Sequence, residues 1–168
     1  MSKKVYIFLA DGFEDIEGLT VVDLLRRAGI DIKTVSIKET TRIQTSHGIT
    51  MLTDAIFAET NFADADMLVL PGGMPGTLNL QKNKMVTDAI EYCVKNEKLV
   101  AAICAAPMIL GDLGYLDGKN AVCFPGFEDS LTESNILSDG VVRDGNFITA
   151  KGAGKALEFG AAIVDYFS

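Results

Sequence analysis

Cys104 stands between two apolar stretches, and this setting offers the chain's first chemistry. Residues 99–103 before it are short and wholly apolar, the pattern of a strand buried on both faces of a parallel sheet. Ala105, Ala106 and Pro107 after it open a second apolar stretch, and proline suits the first turn of a helix. A cysteine at a sharp strand-to-helix turn is arranged like a nucleophile elbow. The unpaired N–H groups and the dipole at a helix start favour an anion there. The expectation is a thiolate whose pKa falls below the free value of about 8.5. The alternative is a buried structural cysteine, since free cysteine is among the most buried residue types.

Two other strand ends carry residues suited to the same site. Pro71-Gly72-Gly73-Met74 directly follows an apolar run, and glycines let backbone N–H groups face a ligand, as an oxyanion site requires. Alone, this motif is also an ordinary tight turn. Glu14, Asp15 and Glu17 follow the first apolar run, residues 5–10. Capping and dipole matching at a helix start account for Glu14 and Asp15. Glu17 lies a turn further in, where its carboxyl can face the site. Near a thiolate in a partly dry pocket, such a carboxyl keeps its proton and can then pass it on during turnover.

Other candidates carry less. His47 is the only histidine, and a Cys–His pair would need it. It sits in a turn remote in sequence from Cys104 and reads as a surface residue. Cys93 and Cys123 read as packing residues. Gly152-Ala153-Gly154-Lys155 lacks both the upstream glycine of a phosphate loop and the Ser/Thr after its lysine. It reads as a helix start near the site, with weak anion-binding potential. No dinucleotide fingerprint is present.

The elements that must position these residues follow from periodicity. The apolar runs at 5–10, 67–70, 99–103 and 121–124, and the mixed stretch 31–37, read as strands, with helices expected over 15–28, 83–96, about 105–113 and from 155 to about 167. Hairpins are expected around Ser46-His47-Gly48 and over Asp144-Gly145. Apolar strands alternating with helices predict a single α/β domain over 1–168 with a mostly parallel sheet. Sites in such sheets lie outside the carboxyl ends of strands, so Asp11–Glu17, Pro71–Met74 and Cys104 should converge. The 15–28 helix has one apolar stripe of Val21, Val22, Leu25 and Ala28 and a partial second of Ile16, Leu19 and Leu24. Two stripes suggest that it packs on the sheet and also on something else, such as a second subunit.

Composition narrows the partners. The net charge is −8, and no cluster of lysine or arginine offsets it, so binding to nucleic acid is not expected. The chain's 168 residues, 48% of them hydrophobic, suit one compact core. The apolar run at 5–10 is too short for a signal peptide, and no run approaches a membrane span. Three cysteines without close spacing argue against a disulfide framework or a zinc site, and a reducing cytoplasm is the expected compartment.

In these residues the chain resembles the ThiJ/PfpI superfamily, in the branch of DJ-one-like deglycases. The resemblance rests on residues 10–17 (ADGFEDIE), 26–29 (RRAG), 69–73 (VLPGG), 101–107 (AAICAAP), Gly152-Ala153-Gly154, and Glu158-Phe159. It implies a three-layer flavodoxin-like α/β sandwich and a homodimer through the 15–28 helix. It implies Cys104 as the reactive cysteine, Glu17 as its protonated partner, and N–H groups of the Gly72-Gly73 turn and Ala105 as the oxyanion site. Arg27, His47, Phe124, Gly152 and Gly154 are then candidate lining residues. The implied activity is cofactor-free and metal-free conversion of a small reactive carbonyl such as methylglyoxal, or of a glycated side chain. Oxidation of the cysteine to the sulfinate in stress sensing is the second implied role. Many relatives carry histidine where this chain has Phe124, so a Cys–Glu–His arrangement is incomplete here. The peptidase-like branch places histidine directly after the nucleophile, where this chain has Ala105, so peptidase activity is not expected.

Overall fold

A computed structural model describes residues 2–168. The elements in order are β1 (Lys4–Leu9), α1 (Asp15–Arg27), β2 (Asp31–Ser36), β3 (Arg42–Gln44), β4 (Thr50–Leu52), β5 (Ala55–Ile56), β6 (Met67–Leu70), α2 (Gly76–Lys82), α3 (Lys84–Lys95), β7 (Leu99–Ile103), α4 (Pro107–Asp112), β8 (Asn120–Ala121), β9 (Asn135–Ile136), β10 (Val141–Asp144), β11 (Phe147–Ala150) and α5 (Ala156–Phe167). The main sheet runs β10-β11-β7-β6-β1-β2-β5. Only the β10–β11 hairpin is antiparallel; the other five pairings are parallel.

Strand alternation divides the core into two layers. Val5, Ile7 and Leu9 of β1, with Met67, Val69, Leu99, Ala101 and Ile103, face α1 and α5. Tyr6 and Phe8, with Leu68, Leu70, Val100 and Ala102, face α2, α3 and α4. The expected three-layer α/β sandwich is therefore present. On the first side, α1 and α5 pack so closely that a Cβ on Gly160 would lie 2.5 Å from Leu24 Cδ1. Leu24 thus fills the α1–α5 seam, while Ile16 and Leu19 of the same helix stay exposed. Ala28, expected in the buried stripe, caps the helix and is exposed.

Two boundaries differ from expectation. The 121–124 strand shortens to Asn120–Ala121, paired with β9 in a separate small sheet. Its next residues are held singly instead: Val122 N–H donates to Thr149 Oγ1, and Phe124 N–H donates to the Cys104 carbonyl. The helix after Cys104 begins at Pro107, leaving a helix of only 6 residues. A dipole summed over so few peptides is weak, and the N–H groups nearest Cys104 act individually.

Phe159 is fully buried between the sheet, α1 and α5. Phe159→Ala should cost about 3–5 kcal/mol, read as a lower denaturant midpoint with the m-value unchanged.

Candidate active site

Three loops meet at the carboxyl ends of β1, β6 and β7, as the strand-end argument predicts. Glu14 N–H donates to the Gly72 carbonyl at 2.9 Å, and Gly76 N–H donates to the Gly12 carbonyl at 3.2 Å. The backbones approach closely enough to require glycine. Gly73 has φ 93°, and a Cβ there would lie 2.4 Å from Glu14 N. A Cβ on Gly72 would lie 2.6 Å from Glu17 Oε1 and 2.7 Å from Cys104 Cβ. Gly72 is thus the gap through which the carboxyl reaches the cysteine.

Cys104 occupies the left-handed region, with φ 65°. Such strain in a residue with a Cβ persists only where surrounding structure holds it. Here Cys104 N–H donates to the Ala150 carbonyl, and its carbonyl accepts from Phe124 N–H, each at 2.8 Å. Simple alternation along β7 would put Cys104 on the side of Val100 and Ala102. The turn instead swings it to the side of α1 and α5, where it packs with Ile103's layer and stays half-buried. The elbow therefore aims the thiol at α1, and hence at Glu17.

Glu17 is completely buried, and neither carboxyl oxygen has a partner in hydrogen-bonding geometry among the described residues. Its own helix start is capped by a different acid: Glu14 Oε2 accepts from Glu17 N–H at 2.9 Å. Burial pushes the Glu17 carboxyl up to about 7, against weaker support for its charged form from the Cys104 thiol and the Gly72 N–H. Burial, then the charge of Glu17, push the Cys104 thiol up to about 12, while the Ala105 N–H pulls it down. This reverses the expectation of a lowered thiol pKa: with Glu17 ionised, burial and repulsion outweigh one backbone amide. Burial is the largest cause of each shift, and the charge of Glu17 adds to the one on the thiol. A carboxylate and a thiolate in contact in a dry site share a single charge, and the pair titrates as a unit. When the proton sits on Glu17, the repulsion acting on the thiol disappears.

Among the described residues, the N–H groups of Gly73 and Ala105 donate no backbone hydrogen bond; that of Gly73 is available to an oxyanion, and that of Ala105 also faces the Cys104 sulfur. Gly72 N–H likewise donates no backbone hydrogen bond, and it lies close enough to the Glu17 carboxyl to favour its charged form.

The remaining candidates separate. Phe124, Gly152 and Gly154 line a cleft beside the Cys104 turn. His47 lies at the start of α1, with Nδ1 2.9 Å from Asp15 Oδ1 and 3.7 Å from Glu14 Oε1. The Asp15 hydrogen bond and charge hold His47 above its ordinary pKa, which suits an ion pair rather than a general base. Glu14, Asp15 and His47 also bring one ligand atom each within 4.8 Å of one another, the grouping among the described residues that could hold a metal ion. Arg27 does not join the site within this chain. It sits at the far end of α1, about 15 Å along the helix from Glu17 by helical rise, and pairs with Asp23 at 2.8 Å. Sequence reasoning missed Ala150 and Phe124 as the backbone clamps on Cys104, because backbone contacts leave no mark in residue type.

The pKa of Glu17 carries a stability prediction. A carboxyl raised from 4.5 to about 7 contributes stability that is full below pH 4.5 and lost as pH rises through 7. The wild type should therefore lose about 3 kcal/mol over that window relative to Glu17→Gln, measured as urea midpoints against pH. Parallel curves for the two proteins would show that Glu17 ionises freely.

The sequence model of the DJ-1/PfpI family matches residues 3–166. Protein dj-1beta of Drosophila melanogaster is 34% identical over 167 residues, covering 98% of this chain and 89% of that protein. Its crystal structure superposes with a TM-score of 0.92, covering 99% of this chain and 90% of that one. Protein DJ-1 homolog B of Arabidopsis thaliana is 33% identical over 166 residues, 98% of this chain but only 38% of that protein. A Pyrococcus abyssi protein named as a deglycase is 32% identical over 151 residues, 88% of this chain and 89% of that one. Matching over almost its whole length, with the strained cysteine, the buried acid and the glycine turn meeting where the sheet ends, this chain belongs to the DJ-1/PfpI family.

Proposed function

We propose that the protein is a cofactor-free enzyme that detoxifies small 2-oxoaldehydes such as methylglyoxal, or the adducts they form on side chains, with Cys104 as nucleophile. The carrying observation is the completely buried, unpartnered Glu17 against a cysteine held at φ 65°. The deglycase name of the Pyrococcus relative supports the substrate class.

In this reading the Cys104 sulfur adds to the aldehyde carbon. A C–S bond forms, and the carbonyl electron pair moves to oxygen, facing the N–H groups of Gly73 and Ala105. Glu17 then takes the proton from the former aldehyde carbon and returns one to the neighbouring carbon. The first carbon is oxidised and the second reduced within one molecule, so no external oxidant enters. Water cleaves the resulting thioester and releases a 2-hydroxy acid and the thiol. Glu17 suits this shuttle because a carboxyl near pKa 7 exchanges protons readily at neutral pH.

The reading includes a homodimer. Ile16 and Leu19 of α1 are 52% and 37% exposed, and Ile49 and Leu52 beside β4 are 53% and 71% exposed. The turn between β3 and β4 is joined to the start of α1 by Ser46 N–H donating to the Phe13 carbonyl, so these side chains belong to neighbouring elements. A reducing compartment such as the cytoplasm suits a chain whose three cysteines are all free.

One observation favours a second reading. The single histidine, His47, is engaged by Asp15 and is not a hydrogen-bond partner of Cys104 among the described residues. A half-buried cysteine without that partner suits slow turnover and a role as an oxidation-sensitive thiol, ending at the sulfinate.

Purified protein should convert methylglyoxal to lactate. Cys104→Ser should abolish the reaction, and Glu17→Gln should reduce it about 100-fold or more. Equal rates in wild type and Cys104→Ser would remove the enzymatic reading. Mild peroxide should add two oxygens to the wild type by intact mass and none at that site in Cys104→Ala, which reports the sensor role separately. Leu52→Lys should shift the mass measured by light scattering from dimer to monomer. An unchanged mass would remove this face as the interface.

A further inference from the structure

A cleft of about 390 Å³ lies beside the Cys104 turn, lined by Phe124, Pro125, Lys151, Gly152, Gly154 and Lys155 among others. It lies within the range of small-molecule sites, about 300–1,000 Å³. A three-carbon aldehyde, little larger than a few water molecules at about 30 Å³ each, would leave most of it empty. The reaction proposed above therefore does not account for it.

We infer that this cleft is a substrate subsite for a flat, anionic tail: the preferred electrophile is a 2-oxoaldehyde carrying an aromatic or similarly planar group that ends in a carboxylate. The inference rests on the reading of Cys104 as nucleophile and names its substrate class.

Position, shape and charge each support it. The cleft is tied to the nucleophile on two sides. Phe124 N–H donates to the Cys104 carbonyl, and Cys104 N–H donates to Ala150, the residue before Lys151. Cys104 also packs in the same core layer as Ala156 and Phe159 of α5, the helix that the cleft's glycine segment leads into. The Cys104 backbone is thus the cleft's neighbour, and a group attached to an aldehyde at the sulfur must extend past the turn to reach the cleft lining, which does not include Cys104 itself.

The wall is aromatic and the floor nearly free of side chains. Phe124 is 45% exposed, an unusual state for so large an apolar ring. A Cβ on Gly152 would lie 3.1 Å from Phe124 Cδ2, so the ring stands over that glycine. A Cβ on Gly154 would meet nothing within 4 Å, so the floor opens there. A planar group against the Phe124 ring gains the area and geometry typical of aromatic pairs.

The charge at the rim is positive although the chain carries −8. Lys155 is committed: its ammonium pairs with Glu158 at 2.8 Å, and its stem packs on Gly140. Lys151 makes no ion pair among the described residues, and no acid lines the cleft. An available cation beside an aromatic wall selects a carboxylate at the end of a flat group over a neutral isostere. The same lysine gives an anionic substrate a local attraction on a surface that otherwise repels it.

Binding can be measured apart from chemistry. Phenylacetate and its neutral isostere phenylacetamide are titrated into 15N-labelled protein while the Gly152 and Gly154 amide resonances are followed. Phenylacetate should shift both, with an affinity about tenfold above that of the amide. Lys151→Gln should remove that preference, and Cys104→Ala should keep it. Equal shifts from acid and amide, absence of shifts, or a preference that survives Lys151→Gln would each overturn the subsite. In turnover, kcat/KM for 4-carboxyphenylglyoxal over phenylglyoxal should exceed one in the wild type and fall about tenfold in Lys151→Gln. If no aldehyde is turned over but the acid still binds through Lys151, the enzymatic reading fails and the anion subsite stands.

Discussion

The structure depends on placing two acids, a thiol and a carboxylic acid, in one dry pocket that tolerates one negative charge. Burial raises the proton affinity of both Glu17 and Cys104, and the charge of Glu17 raises that of Cys104 further. The surrounding backbone serves that arrangement. Gly72 lacks a side chain so that the carboxyl can pass, and Glu14 caps α1 so that Glu17 need not. The left-handed turn at Cys104 crosses from one sheet face to the other to meet it. A side chain at 72 would collide with the Glu17 carboxyl, the Cys104 Cβ and the Ile103 carbonyl.

The single-charge constraint also decides which way the elbow works. A long helix behind a cysteine would lower the thiol's pKa through its dipole. Here α4 has only 6 residues, and the supporting amide is that of Ala105. The thiolate is then governed less by the helix than by where the shared proton sits. A proton on Glu17 leaves the charge on sulfur, ready to attack a carbonyl. A proton on sulfur leaves a carboxylate that can accept hydrogen from carbon. One pair can thus serve both halves of an internal oxidation–reduction without a cofactor.

Much of this was legible in the residues. The wholly apolar runs at 67–70 and 99–103 gave their strands directly, because strands buried on both faces need no polar alternation. Asp144-Gly145 marked the β10–β11 hairpin, and the meeting of three strand ends followed from the topology of parallel sheets. Other features were not legible for physical reasons. The thiol's shift depends on desolvation and on a neighbour 87 positions away, which local pattern does not encode. The 121–124 stretch has strand composition, but its N–H groups go to Thr149 Oγ1 and to the Cys104 carbonyl, so composition alone overextended the strand. Arg27 was placed with the site by resemblance, yet within one chain it belongs to the opposite end of α1.

The sharing of one proton is measured most directly by titrating both partners in the same sample, with the Glu17 carboxyl followed by 13C NMR and the Cys104 thiolate by ultraviolet absorbance. The account predicts that the pair loses one proton near pH 7 and holds the second until about pH 12, so that carboxylate and thiolate signals sum to one charge across the range between. Full ionisation of both groups at pH 8 would contradict it.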